Sequence, residues 1–227
     1  MKDRLTCRLL TTGLCAGPIV LTVGFTAALT REGFSLHRNA SSQLALGDSG
    51  WVQSINFVVA GLLLLAFAIG ARRVLRGQVG GLWAPLLLGV FAVSHVMVGV
   101  FATDPAFGYP PGPATPIGAP DMDTASLSAK LHSFFGFLGF NALAIASFVL
   151  ARHFGTRRPL WLTSSLGVGF AILAIGAYAA HWESQHQGAA RATASFDFLP
   201  MWLLLPVVWA YLAALAWHLL QQARSQP

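Results

Sequence analysis

Charge is what this chain has least of. Asp, Glu, Lys and Arg make up 10% of its 227 residues, against about 25% in a soluble domain. So few charges cannot cover a water-facing surface, and a soluble globular architecture is excluded. Cysteine is nearly absent as well. The two that occur, Cys7 and Cys15, sit at the start of one apolar segment, which excludes a disulfide scaffold. Cys15 follows Leu14 and so lacks the small residue expected before a lipoprotein cysteine. The sequence contains no HExxH, CxxC or CxxCH, no GxSxG, no P-loop and no GxGxxG. The compact motifs of zinc, haem, serine-hydrolase and nucleotide chemistry are therefore missing.

Apolar sequence fills the gap. The chain is 55% hydrophobic with a mean hydropathy of +0.63, and its charges cluster between long uncharged runs. About 20 apolar residues are needed to cross a hydrocarbon core of about 30 Å. Six segments qualify: 9–30, 51–71, 82–103, 131–151, 160–180 and 199–220. None contains Asp, Glu, Lys or Arg. The runs are continuous rather than alternating, which argues against barrel strands. The first run is too long for the apolar region of a signal peptide and is read as a retained helix. The expectation is an all-α, integral membrane bundle of six transmembrane helices forming one domain over 1–227.

Loop charge orients the bundle. Counting alternately from a cytoplasmic N-terminus places Lys2, Arg4, Arg8, Arg72, Arg73, Arg76, Arg152, Arg157, Arg158 and Arg224 inside. Arg31, Arg38, Lys130 and Arg191 fall outside. Acidic residues divide the other way, with Asp3 inside and the rest outside. The positive-inside rule therefore predicts both termini in the cytoplasm. It also accounts for the pI near 10.2, and no nucleic-acid partner is expected. Trp51, Trp182 and Trp202 fall at outer helix ends, and Trp83, Trp161 and Trp217 at inner ends, where indole favours the interface. Small-xxx-small pairs, Gly13 with Gly17 and Ser165 with Gly169, suit close packing within the bundle.

The outer loops are long and polar, so water-exposed chemistry is expected there. In 31–57, Ser42 and its neighbours precede the second helix. Asp48 or Ser49 is placed to cap it, and Gln53 and Asn56 share a face at i, i+3. Asn56 lies roughly 7–8 Å below the helix end at 1.5 Å per residue. His95 is buried roughly 12 Å inside the third helix, and Asp104 stands at its outer mouth. His132 lies just inside the fourth helix, Asn141 deeper. His181 ends the fifth. Ionisable groups at membrane depth are functional candidates by default, so His132, Asp104 and His95 are the catalytic candidates. Ser42, Asn56, Trp51 and His181 are the binding candidates. His95, His132 and His181 are the weak metal candidates, although no metal or other cofactor is predicted. For each, the plain alternative is capping or one interhelical hydrogen bond. Phe134, Phe135, Phe137 and Phe140 are read as packing residues. The Pro/Gly-rich 104–114 is read as a stiff cover over the outer mouth.

Three blocks in order, SSQLALGDSGWVQSINFVVAGLLLLAFAIGARR (41–73), GVFATDPAFGYPPG (99–112) and LHSFFGFLGF (131–140), resemble the bacterial membrane family known as domain of unknown function 998. The chain departs from the family's usual pattern at 37–40, with His-Arg-Asn-Ala in place of His-Pro-Ile-Ser, and at 128–130. The resemblance implies six helices in a bacterial cell membrane and marks Ser42, Gly47, Trp51, Asn56, Asp104, Pro105 and His132. It implies no activity. Three classes stay open. The first is a non-catalytic protein that binds a lipid or partner at its outer face. The second is an enzyme acting on lipid headgroups or acyl chains. The third is a small transporter, whose inner-half support is Asn141, Ser147, Ser164 and Ser165. Membrane lipids are the expected partners. The oligomeric state is left open.

Overall fold

The computed structural model describes residues 3–225. Six long helices carry the chain: α1 (Arg4–Thr30), α2 (Gly50–Val74), α3 (Trp83–Val100), α4 (Leu127–Phe154), α5 (Pro159–Gln185) and α6 (Leu199–Ser225). Each is long and apolar enough to cross a membrane, and no strand occurs among the described residues. Two short 3-10 turns, Ser41–Ala45 and Gly188–Ala192, lie in the loops.

Small residues set the spacing. Gly61 lies so near α3 that a Cβ on it would stand 2.7 Å from the Ala92 carbonyl oxygen. At Gly99 it would stand 2.7 Å from that of Ser54. α2 and α3 thus meet backbone to backbone, as small residues allow in lipid. Gly13 faces Phe67 and Ala216, and Gly17 faces Trp209. This first glycine pair seats α1 against α2 and α6 of the same chain. Ser165 hydrogen-bonds Tyr211 at 2.8 Å, and Gly169 packs on Phe148, so the second pair also serves packing within the bundle. Residues near the start of α1 thus meet residues near the end of α6, and both termini lie at one end of the bundle. That end is called the terminal end here, and the opposite one the loop end.

The helices form a ring in chain order, and α6 closes on α1. The seam between α5 and α6 is thin. Every buried residue of α5 (Ser165, Val168, Gly169 and Ile172) falls in its first half. Toward the terminal end the ring is filled by Leu10, Phe67, Leu143, Leu150, Leu212 and Leu215. Toward the loop end α5 stands off from the core.

α1, α2, α4, α5 and α6 run up to five residues past the spans read from sequence, and α3 alone is shorter, stopping at Val100 rather than 103. The next residues are extended because α4 holds them: His132 Nδ1 lies 2.7 Å from the Phe101 carbonyl oxygen, and the Ser128 hydroxyl donates to that of Ala102. Neither Asp48 nor Ser49 caps α2 with its side chain. Arg31 reaches across instead and donates to the carbonyl oxygens of Leu44 and Ser49.

The loops knit into a cap over the loop end. Asn39, fully buried, accepts from Ser35 N–H and donates to the Phe107 carbonyl oxygen. Gln43 donates to that of Ala106 at 2.7 Å. Trp202 Nε1 donates to the Asn39 carbonyl oxygen at 2.9 Å. Phe34, Phe107, Phe196 and Phe198 pack around Trp202 beneath this network. Trp51, Trp83 and Trp217 are exposed on the bundle surface as belt residues would be, whereas Trp202 is 2% exposed and serves as the cap's centre post.

Candidate functional site

Where α5 stands off, a cavity of about 800 Å³ lies within the ring, lined by residues of all six helices. This is within the range of roughly 300–1,000 Å³ typical of ligand pockets. It begins beneath Ala40, Ser41 and Ser42 at the loop end and runs down to Phe91, Val208 and Trp209. Its wall is overwhelmingly apolar. Phe135, Phe137 and Phe140 border it, so these rings face space as well as neighbours. Gly24 is buried, yet a Cβ built on it would have no heavy atom within 4 Å. The backbone of α1 is itself part of the wall.

A few polar groups enter this wall. His95 is held edge-on by three aromatic rings, Phe91 at 4.8 Å, Trp209 at 5.4 Å and Phe57 at 5.7 Å. Neither of its nitrogens has a hydrogen-bond partner among the described residues. Gln53 is 1% exposed. Its Oε1 accepts from Asn56 Nδ2 at 3.2 Å, and its own amide N–H groups have no protein acceptor among the described residues. His132 borders the cavity with Nδ1 committed to the Phe101 carbonyl oxygen. A carbonyl only accepts, so Nδ1 carries the proton and Nε2 is left as an acceptor in the neutral ring. At the rim, both Glu183 oxygens are engaged by Arg191. Arg191 also donates to the Pro120 carbonyl oxygen and lies over the Trp182 ring. That pairing with Glu183 raises the Arg191 pKa above its ordinary value.

The structure brings together some of the residues singled out from sequence. His95, His132 and Ser42 all line the cavity. Asp104 does not join them. Its carboxylate accepts from the Ser126 N–H at 2.8 Å and the Ser126 hydroxyl at 2.6 Å, which fixes the start of α4. Asn56 turns to the Val20 carbonyl oxygen and Gln53, with its own Oδ1 buried and unpartnered among the described residues. Trp51 is 64% exposed on the outside of the bundle, and His181 lies on an exposed face of α5 outside the cavity. Among the described residues no group of three or more His, Cys, Asp or Glu could hold a metal ion. The polar residues proposed as a transport path are engaged locally. Ser147 bonds Leu143, Ser164 bonds Leu160, Ser165 bonds Tyr211, and Asn141 bonds Phe137. Gln53 and Gly24 were not among the candidates. The only sequence signal for Gln53 was its shared face with Asn56.

Six such helices around an apolar cavity define a multi-pass membrane protein. The family model described as protein of unknown function (DUF998) matches residues 14–218, and the chain belongs to that family. No curated protein and no solved structure matches it.

Proposed function

We propose that this is a non-catalytic protein of a bacterial cell membrane that binds the apolar body of a membrane lipid in the cavity beneath its loop-end cap. The observation that carries the reading is the cavity itself: apolar, of ligand size, and adjoining the one thin seam of the ring. Lipid chains on the far side of that seam have the same chemistry as the cavity wall. Asp104 lies outside the cavity, and Glu183 at its rim is held by Arg191, so neither is free to partner His95 or His132, which favours binding over acid–base chemistry.

The basic residues at the terminal end support an orientation with that end in the cytoplasm and the cap on the far side. In a background lacking Cys7 and Cys15, an impermeant maleimide should label Ala114→Cys in intact cells and leave Arg157→Cys unlabelled. The reverse pattern would invert the orientation.

Lipid extraction tests the binding. Protein purified in mild detergent should release a near-stoichiometric lipid into organic solvent. The Gly24→Leu variant, whose added side chain enters the cavity, should release much less. Equal amounts from both proteins would remove the cavity as the lipid site.

A further inference from the structure

The lipid-binding reading leaves the chemistry of the ligand's head open, and the cavity's polar groups narrow it. Resting on that reading, we infer that the occupant is an amphiphile with an uncharged head, a hydroxyl or carbonyl, held by Gln53 and His95, and not a phospholipid. Gln53 and Phe57 share a face of α2 one turn apart, and the Phe57 ring meets His95 edge-on. The two polar side chains therefore stand on neighbouring parts of one wall. Gln53 offers N–H donors that no described residue accepts. The neutral imidazole of His95 offers one donor and one acceptor. A hydroxyl can accept from Gln53 while it donates to the bare imidazole nitrogen or accepts from the protonated one, and a carbonyl oxygen can accept from both donors.

Charge argues against the alternative. Among the described residues Glu183 is the only Asp, Glu, Lys or Arg of the lining, and Arg191 already holds it. No Lys or Arg borders the space to pair with a phosphate, and a charged head brought there would lose its hydration without compensation. The rest of the apolar wall, Phe135, Phe137 and Phe140 of α4 with Leu173 of α5 and Leu205 of α6, then receives the apolar chain.

Trp209 reports on occupancy, because it lines the cavity and is 3% exposed. In lipid nanodiscs, chain-brominated fatty alcohol, the brominated alkane of equal length and chain-brominated phosphatidylcholine are compared at equal mole fraction. The readout is the quenching lost on Trp209→Phe. The alcohol should quench this component saturably and the phosphatidylcholine should not. The alkane, and the alcohol on Gln53→Leu or His95→Leu, should bind about three- to tenfold more weakly, the value of one net hydrogen bond. The alcohol-to-alkane comparison uses the wild-type protein, so it stands even if a variant fails to fold. If phosphatidylcholine quenches as well as the alcohol, or alcohol and alkane bind alike, the uncharged-head assignment is overturned while the cavity still takes lipid. If no probe reaches Trp209, the lipid-binding reading itself fails, and this inference with it.

Discussion

Filling the cavity from its own backbone should make the protein more stable and less able to hold a ligand. Gly24 provides the means. It sits inside α1, is buried, and faces open space where a side chain would project. Glycine in a helix interior costs about 0.8–1.0 kcal/mol relative to alanine, and leucine is nearly as good a helix former. Gly24→Leu therefore gains roughly 0.7 kcal/mol from the backbone alone. Burying the new side chain in the space the Gly24 position faces adds up to about 1.5–3 kcal/mol where it displaces water, and less where it displaces lipid. The expected gain in ligand-free protein is thus about 1–3 kcal/mol. At about 2–4 °C per kcal/mol for a chain of this size, Tm rises by roughly 2–12 °C.

Ligand reverses the order. A bound amphiphile stabilises the wild type by RT ln(1 + [L]/Kd), about 2.7 kcal/mol at a hundredfold excess over Kd, and the filled variant gains nothing. Tm measured by tryptophan emission, with and without added fatty alcohol, should therefore show the two proteins converge or cross. The reasoning is refuted if ligand-free Gly24→Leu melts below the wild type. It is equally refuted if fatty alcohol raises both melting temperatures alike.

Other changes test the frame around the cavity. Gly61→Ala drives a Cβ toward the Ala92 carbonyl oxygen and the Val96 nitrogen, which are backbone atoms that cannot rotate away. It should cost about 1–3 kcal/mol, read as a lower Tm, whereas Gly89→Ala, with nothing within 4 Å, should raise Tm slightly. Trp202→Phe removes the indole N–H that holds the Asn39 carbonyl, at about 1–3 kcal/mol for the buried acceptor left unmet. Hydrogen exchange should quicken across residues 35–45 while α2 is unchanged. The Asp3 carboxyl is held well below its ordinary value of 3.8, first by the Thr6 hydroxyl and then by Arg73. Its folded pKa lies below its unfolded one, so its contribution is complete above about pH 3.8 and is lost as pH falls further. Exchange at the start of α1 should accelerate in acid in the wild type and be insensitive to that range in Asp3→Asn.

The six helices were legible because lipid imposes one dominant requirement on the chain. A span needs a long uncharged run, and each run ended at charges or at Pro and Gly clusters that mark a loop. The site was less legible because it depends on which helix stands away from its neighbours. Nothing in the sequence of α5 distinguishes the stretch that buries Ser165, Val168, Gly169 and Ile172 from Leu173–Gln185, which buries none. Local chemistry also misled at Asp104. A carboxylate beside a helix mouth looks like part of a site, but it also suits an N-cap, and here the start of the next helix claimed it. Trp202 shows the same ambiguity. An indole near a helix end fits an interfacial belt, and only the folded outer loop shows that its N–H meets a backbone carbonyl instead.

The two halves of the ring answer different demands. In the terminal half the small residues of α1, α2 and α6 bring backbones close, and leucines fill what remains. A membrane bundle gains little from burying apolar surface away from equally apolar lipid, so that half is held by close fit. The loop half relaxes the fit at a single seam and recovers order from outside the bundle. Its polar cap joins three loops through Asn39, Gln43, Trp202 and Arg191. A cap fixed by hydrogen bonds lets α5 stand away from α6 without the helices collapsing inward. The space persists because its walls are tethered from above and below. It follows that loosening the cap and filling the cavity should abolish binding by different routes: the first with a loss of stability, the second with a gain.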